Sequence, residues 1–339
     1  MKFLGARTKT LSKTESRENI ETSWNKVKRF ILSDFGKPFI AFLAIFLAAG
    51  ALSPYYFFTP YNQSALALSA STYILLGAGE MLVILLGSID LSASYLYVLS
   101  VMLSGYLYAY VFHSLIPSII ITLIIIMIFG VANGLLVAKA KIYSFVATLG
   151  TGFIAYGLAL VITKGASIYP LPAFTVFALK VATYIPIPFI ISIIVLILLY
   201  ILLRYSIIGR YVYAIGSNEE ASYYAGINVD MTKILMFAIA AILYGLAGII
   251  TVGILNSATP EVASGTLLLY AIAASVLGGI ELTGGVGSPW GPLFGGYIIS
   301  IVIDLMVLLG INVYMQYVVT GIVLLLAVIS LSRGKRFVK

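Results

Sequence analysis

Four carboxylates lie within or against long apolar stretches of this sequence: Glu80, Asp90, Glu281 and Asp304. An acid at mid-bilayer depth costs roughly 3 kcal/mol on insertion scales, so such a group faces a bundle interior or a wet cavity. There it carries a proton, pairs with another polar group or lines a solute path. Glu80 lies eight or nine residues inside its stretch and suffers the most desolvation. It suits a neutral acid, an interhelical hydrogen bonder or a proton site, and Asp304 raises the same choice. Asp90 and Glu281 stand at the ends of their stretches, where bonds to loop amides or a helix N-terminus compete with solute contact. Asn133, Thr148, Thr151, Ser100 and Ser104 add uncharged donors and acceptors. Their default use is interhelical hydrogen bonding, and the same chemistry contacts a polyol, which needs neutral groups rather than charge.

Other chemistries are excluded. The chain has no cysteine and one histidine, His113, which removes disulfides, thiolate zinc sites, iron–sulfur clusters and multi-histidine metal sites. No phosphate loop occurs, because Gly36-Lys37 and Gly334-Lys335 lack both the upstream glycine and the following hydroxyl. The chain therefore does not hydrolyse ATP by that route, and neither a cofactor nor a metal is expected.

The elements that hold these residues follow from composition. Only 9% of the 339 residues are charged and 61% are hydrophobic, against about 25% charged in a soluble domain. This fits a polytopic, all-α membrane protein. Apolar stretches able to cross about 30 Å of hydrocarbon fall at 38–54, 64–88, 92–112, 116–137, 143–163, 187–203, 232–254, 265–280, 290–309 and 314–331, about ten helices. With the N-terminus inside, 18 of the 20 Lys and Arg residues fall on the cytoplasmic side, leaving Lys164 and Lys180 outside. That split places both termini in the cytoplasm. It also explains the net charge of +8 by topology rather than nucleic-acid binding. Residues 1–37 form a cytoplasmic tail in which Ile20, Trp24, Val27, Ile31 and Phe35 make the stripe of an amphipathic helix on the inner leaflet. Residues 38–331 are the transmembrane domain, and 332–339 a basic cytoplasmic tail.

Two segments organise the domain. Leu86-Gly87-Ser88-Ile89-Asp90-Leu91-Ser92-Ala93 resembles Leu277-Gly278-Gly279-Ile280-Glu281-Leu282-Thr283-Gly284 at an offset of 191, which suggests a parallel internal repeat, with glycine-interrupted segments in matching positions of two halves. Gly278, Gly279, Gly284, Gly285, Gly287 and Gly291 prevent one regular helix there, and imply broken helices or a tight buried loop. The cytoplasmic segment 204–231 is too long for an ordinary connection. Within it Ser217 or Asn218 caps a short helix opened by Glu219, Glu220 and Ala221 and stopped at Gly226, a candidate docking element.

Several blocks then appear in one order: Leu82 to Ser92, Asn133 to Lys139, Phe145 to Thr151, Gly209 to Ala221 followed by Ala225-Gly-Ile-Asn228, and Ala271 through Gly291. This arrangement resembles the permease subunits of bacterial and archaeal ABC importers of the ribose/xylose/galactose type. The resemblance implies two permeases forming the pathway, here as a homodimer, and ABC ATPase subunits docking on Asn218–Gly226. It also implies an extracellular sugar-binding protein and alternating access without covalent chemistry in the permease, in the plasma membrane amid lipid. The implied cargo is a monosaccharide, with xylose, arabinose and ribose ahead of hexoses, nucleosides and branched-chain amino acids. A proton-coupled secondary transporter using Glu80 and Asp304 is the alternative of a different class. Glu80 replaces a usually apolar residue of the family, and Asp304 a common amide.

Overall fold

The computed structural model describes residues 25, 28–181, 184–262, 265–312, 314–319 and 321–322. Helix α1 (Gly36–Leu52) is followed by α2 (Pro60–Leu85). Thr59 starts α2 by accepting a hydrogen bond from the Asn62 amide, with Pro60 in the first turn. Helix α3 (Ala93–Tyr106) runs on as a wider π turn over Leu107–Phe112, closed by His113 in the left-handed region. Then come α4 (Leu115–Ala138), α5 (Ser144–Thr163), α6 (Ile187–Tyr205), α7 (Ile207–Ser217), α8 (Glu219–Tyr224), α9 (Val229–Leu255), α10 (Gly265–Leu277) and α11 (Gly291–Leu308). Short 3-10 turns at Pro172–Ala178 and Pro260–Val262 and one antiparallel pair, β1 (Lys180–Val181) with β2 (Ile185–Pro186), complete the order.

Seven helices of the described residues are long and apolar enough to span, namely α2, α3 with its π turn, α4, α5, α6, α9 and α11, while α1 and α10 are shorter apolar helices. The chain is thus a polytopic helical membrane protein. The expected tenth stretch is helical at 314–319 and 321–322, and its remainder lies outside the described residues. So do Ile20, Trp24 and Val27 of the expected amphipathic stripe and all of 332–339. Phe35, from the same stripe, packs its ring 5.2 Å from that of Phe294 on α11.

Helices α2 and α9 make the core. Their apolar windows are 78% and 72% buried, against 22%, 33% and 28% for α4, α5 and α6, so the latter three turn most of their surface outward from the bundle. Small residues let the core close up, as membrane helices lack a hydrophobic drive toward one another and rely on close packing. A Cβ on Gly130 or Gly134 of α4 would lie 2.5 Å from the backbone of α9 at Phe237 and Ile234.

The bundle has two ends. One gathers the 86–92 loop, α7, α8 and the glycine segment 278–290. The other holds the bridge between Ile168 and Ala258 and the Leu171 amide donating to Asn256 Oδ1.

Two expectations are corrected. Segment 204–231 holds two helices rather than one: Ser206 caps α7 through Gly209 N, and Val212 and Ile215 bury its apolar stripe. The two similar segments do each close a helix with the same cap, Ser88 N donating to Val83 O and Ile280 N to Ser275 O. The glycines in the left-handed region, however, are Gly87 (φ 73°) and Gly279 (φ 84°), one position out of register with the 191 offset. The caps match, so Asp90 and Glu281 are not at equivalent places.

Candidate functional site

The 86–92 loop is stitched to three helices by polar side chains, and through Glu80 to a fourth. Glu80, fully buried on α2, accepts from the Asp90 amide through Oε1 at 3.1 Å and from the Tyr244 hydroxyl of α9 through Oε2 at 3.1 Å. Asp90 Oδ1 accepts from both the amide and the hydroxyl of Ser92, while Asp90 Oδ2 is buried without a partner. Asn133 on α4 donates to Ser92 Oγ at 2.9 Å and accepts from Thr151 Oγ1 on α5. Thr148 takes the Leu91 amide at 2.8 Å, and Ser144 the Ile89 amide at 3.1 Å. Buried backbone donors need such partners; here they come from side chains because a loop with no helical ladder of its own sits between α2 and α3.

Glu80, Asp90, Asn133, Thr148 and Thr151 therefore form one network. Asp304 stands apart: it accepts from Asn62 Nδ2 at 2.9 Å. Asn62 and Glu80 are 18 positions apart on α2, about 27 Å along the axis at 1.5 Å per residue. The two acids therefore have separate hydrogen-bond partners, far apart along α2. Glu281 is partly exposed in the turn of the glycine segment, its amide donating to Val286 O. Ser100 bonds the Gly245 carbonyl of α9 and Ser104 its own helix, both as packing groups.

The glycine segment is folded back tightly on itself and on α2 and α7. Gly278 meets Gly291 backbone to backbone, Gly287 abuts Ile280, and Gly284 lies against Gly87. Gly285 N donates to Leu85 O at 2.9 Å. A Cβ on Gly216 would fall 1.9 Å from that same Leu85 oxygen. The Tyr213 hydroxyl donates to Gly287 O at 3.0 Å, and burial pushes its pKa up to about 12, so it stays a donor. The end of α7, the base of α2 and the glycine segment thus meet largely backbone against backbone, with little room for displacement.

Helix α8 continues directly from this junction. Asn218 is the cap, accepting from Ala221 N at 2.8 Å, and Gly226 in the left-handed region (φ 82°) ends the turn. Glu219 pairs with Lys233 of α9 at 2.7 Å, the lysine side chain 8% exposed and the glutamate 49%. One side of α8 is thereby pinned, while Glu220, Ala221, Tyr223 and Tyr224 face outward.

Sequence reasoning missed Tyr244, Ser144 and Lys233. Tyr244 carried a signal: it lies midway along α9, whereas belt tyrosines sit at span ends.

A bundle of this kind, with a short polar-capped helix packed against backbone junctions beneath its core, is the membrane domain of a polytopic protein. The family described as branched-chain amino acid transport system, permease component, matches residues 62–328, and the chain belongs to it. The D-allose transport system permease protein of Escherichia coli (strain K12) is 33% identical over 322 residues, 94% of this chain and 98% of that one. The ribose import permease protein of Bacillus subtilis (strain 168) is 37% identical over 302 residues, 88% and 92% of the two chains. The L-arabinose transport system permease protein of Escherichia coli (strain K12) is 38% identical over 199 residues, 58% and 60%. No solved structure matches the chain. The chain is accordingly a permease subunit, a transport component rather than an enzyme.

Proposed function

We propose that this chain is the membrane-spanning permease of an ATP-driven importer for a monosaccharide, with a pentose the leading cargo. A homodimer forms the path, both termini are cytoplasmic, an extracellular binding protein delivers the sugar, and ABC ATPase subunits dock on α8. Relatives named for ribose, allose and arabinose transport support a neutral polyol as cargo. So does a polar inventory made mainly of hydroxyls and amides, since a zwitterion would want a fixed charged partner. The network around Glu80 and Asp90 fixes the 86–92 loop so that motion of α8 reaches the helices as one body; the sugar itself passes between neutral groups.

The observation that carries this reading is the path from α8 through Gly216 and Gly285 to Leu85, closed by backbone contacts under 3 Å to any added Cβ. A packed junction of this sort transmits displacement rather than damping it. The test is Glu219→Arg with Glu220→Arg in the reconstituted importer. ATP hydrolysis should continue without sugar uptake while the permease still inserts. Normal uptake with normal ATPase association would remove the docking role.

A further inference from the structure

On the α8 side of the bundle a cleft of about 810 Å³ opens between residues 33–35, the end of α6, the start of α7 and residues 287–290. Arg204 in the last turn of α6 and Arg210 in the first turns of α7 both line it and both are exposed. The ion pairs among the described residues are Lys141–Asp230 and Lys233–Glu219, so neither arginine is ion-paired to a described acid. Asp34 is the one acid in the lining, leaving the cleft a net charge of +1. Its wall is aromatic: the Tyr200 and Trp290 rings lie 5.8 Å apart. Above it runs the outer face of α6, with Ile194, Ile197, Leu198 and Ile201 exposed.

These features fit one kind of ligand. Two guanidinium forks match a phosphate bidentately. The carboxylate of Asp34 accepts from a hydroxyl rather than from a second anion. Tyrosine and tryptophan at a span end sit at headgroup level, and the bare aliphatic face of α6 gives acyl chains a surface continuous with the cleft. A single negative charge balances the site. A free phosphate would satisfy the arginines but leave Asp34 and the α6 face unused.

We propose that this cleft binds the headgroup of one anionic phospholipid of the phosphoglycerol class. The bound lipid bridges α6, α7, residues 33–35 and the glycine segment, directly beside the junction that Tyr213 and Gly287 close. The inference rests on the reading that the α8 face is a membrane–water interface.

The chain has two tryptophans, Trp24 and Trp290, so Trp24→Phe in the full-length protein leaves Trp290 as the sole tryptophan, excited selectively over tyrosine. Reconstituted in phosphatidylcholine bilayers, it is titrated with a small mole fraction of acyl-brominated phosphatidylglycerol, phosphatidylethanolamine or phosphatidylcholine. One uncompensated cation corresponds to about fivefold enrichment of anionic lipid at the site, so brominated phosphatidylglycerol should quench Trp290 at about one-fifth the mole fraction the neutral lipids need. Arg204→Gln with Arg210→Gln should bring the three lipids level, and Arg204→Lys with Arg210→Lys should fall between. Equal quenching by all three in the unsubstituted cleft overturns the proposal, and that comparison requires no cleft variant to fold. Reversal by inorganic phosphate would identify a free-anion site and overturn it as well. The readout is independent of transport, so a failure of the importer reading shows in uptake and not here.

Discussion

The Glu80–Tyr244 pair offers a perturbation whose cost follows from geometry. Tyr244→Phe removes a hydroxyl 3.1 Å from Glu80 Oε2 and leaves the ring, so no cavity opens in a fully buried site. A stranded buried acceptor costs about 1–3 kcal/mol, and interhelical hydrogen bonds in membranes fall at the low end, about 0.6 on average and about 1.7 at most. The expected loss is about 1 kcal/mol. Glu80→Leu strands two donors, the Tyr244 hydroxyl and the Asp90 amide, and should cost about 2–4 kcal/mol. The double variant leaves only the Asp90 amide unmatched, so it should be less destabilised than the sum of the singles by about 2–3 kcal/mol. Glu80→Gln retains an oxygen for the Asp90 amide and an amide against the tyrosine, and should stay within about 1 kcal/mol of the parent with transport intact. Reversible unfolding in mixed detergent micelles measures the cycle, and uptake measures function. Additive losses would show that the two groups do not share a bond. Loss of uptake in Glu80→Gln at parental stability would assign Glu80 a charge-dependent role and refute the structural reading.

Other consequences are more local. Gly216→Ala places a Cβ 1.9 Å from Leu85 O and 2.4 Å from Gly285 N, both backbone atoms that cannot swing aside. It should abolish uptake or folding, whereas Gly226→Ala, with no atom within 4 Å but a positive φ, should cost only about 1 kcal/mol; protein yield and uptake separate the two. Asn218→Ala removes the cap of α8 and should loosen that helix by about 1 kcal/mol, seen as faster amide exchange over 219–224 with the spans unchanged.

The spans were legible because hydrocarbon length and glycine or proline punctuation set their ends: 187–203 became Ile187–Tyr205 and 116–137 became Leu115–Ala138. The α8 cap and stop were legible for a similar reason, since Asn218 and Gly226 act within a few residues of themselves. What periodicity does not encode is who meets whom across the bundle. Glu80 and Asp90 lie ten residues apart, yet Tyr244 arrives from 164 residues away. The extra helix α7 was hidden because its stripe of Val212 and Ile215 is interrupted by Arg210 and by Gly209, Tyr211, Tyr213 and Gly216, which reads as loop. The repeat slipped by one because matching letters weight the acids, whereas the fold matches the glycine caps.

The most direct test of docking at α8 uses the absence of native cysteine. Ala221→Cys, on the exposed side of α8, is combined with a single cysteine on the surface of the partner ATPase and oxidised in the assembled, sugar-loaded importer. The account predicts a permease–ATPase cross-link that stops uptake and is reversed by reduction. An assembled, transporting complex that forms no such cross-link at any surface position of the ATPase would contradict it.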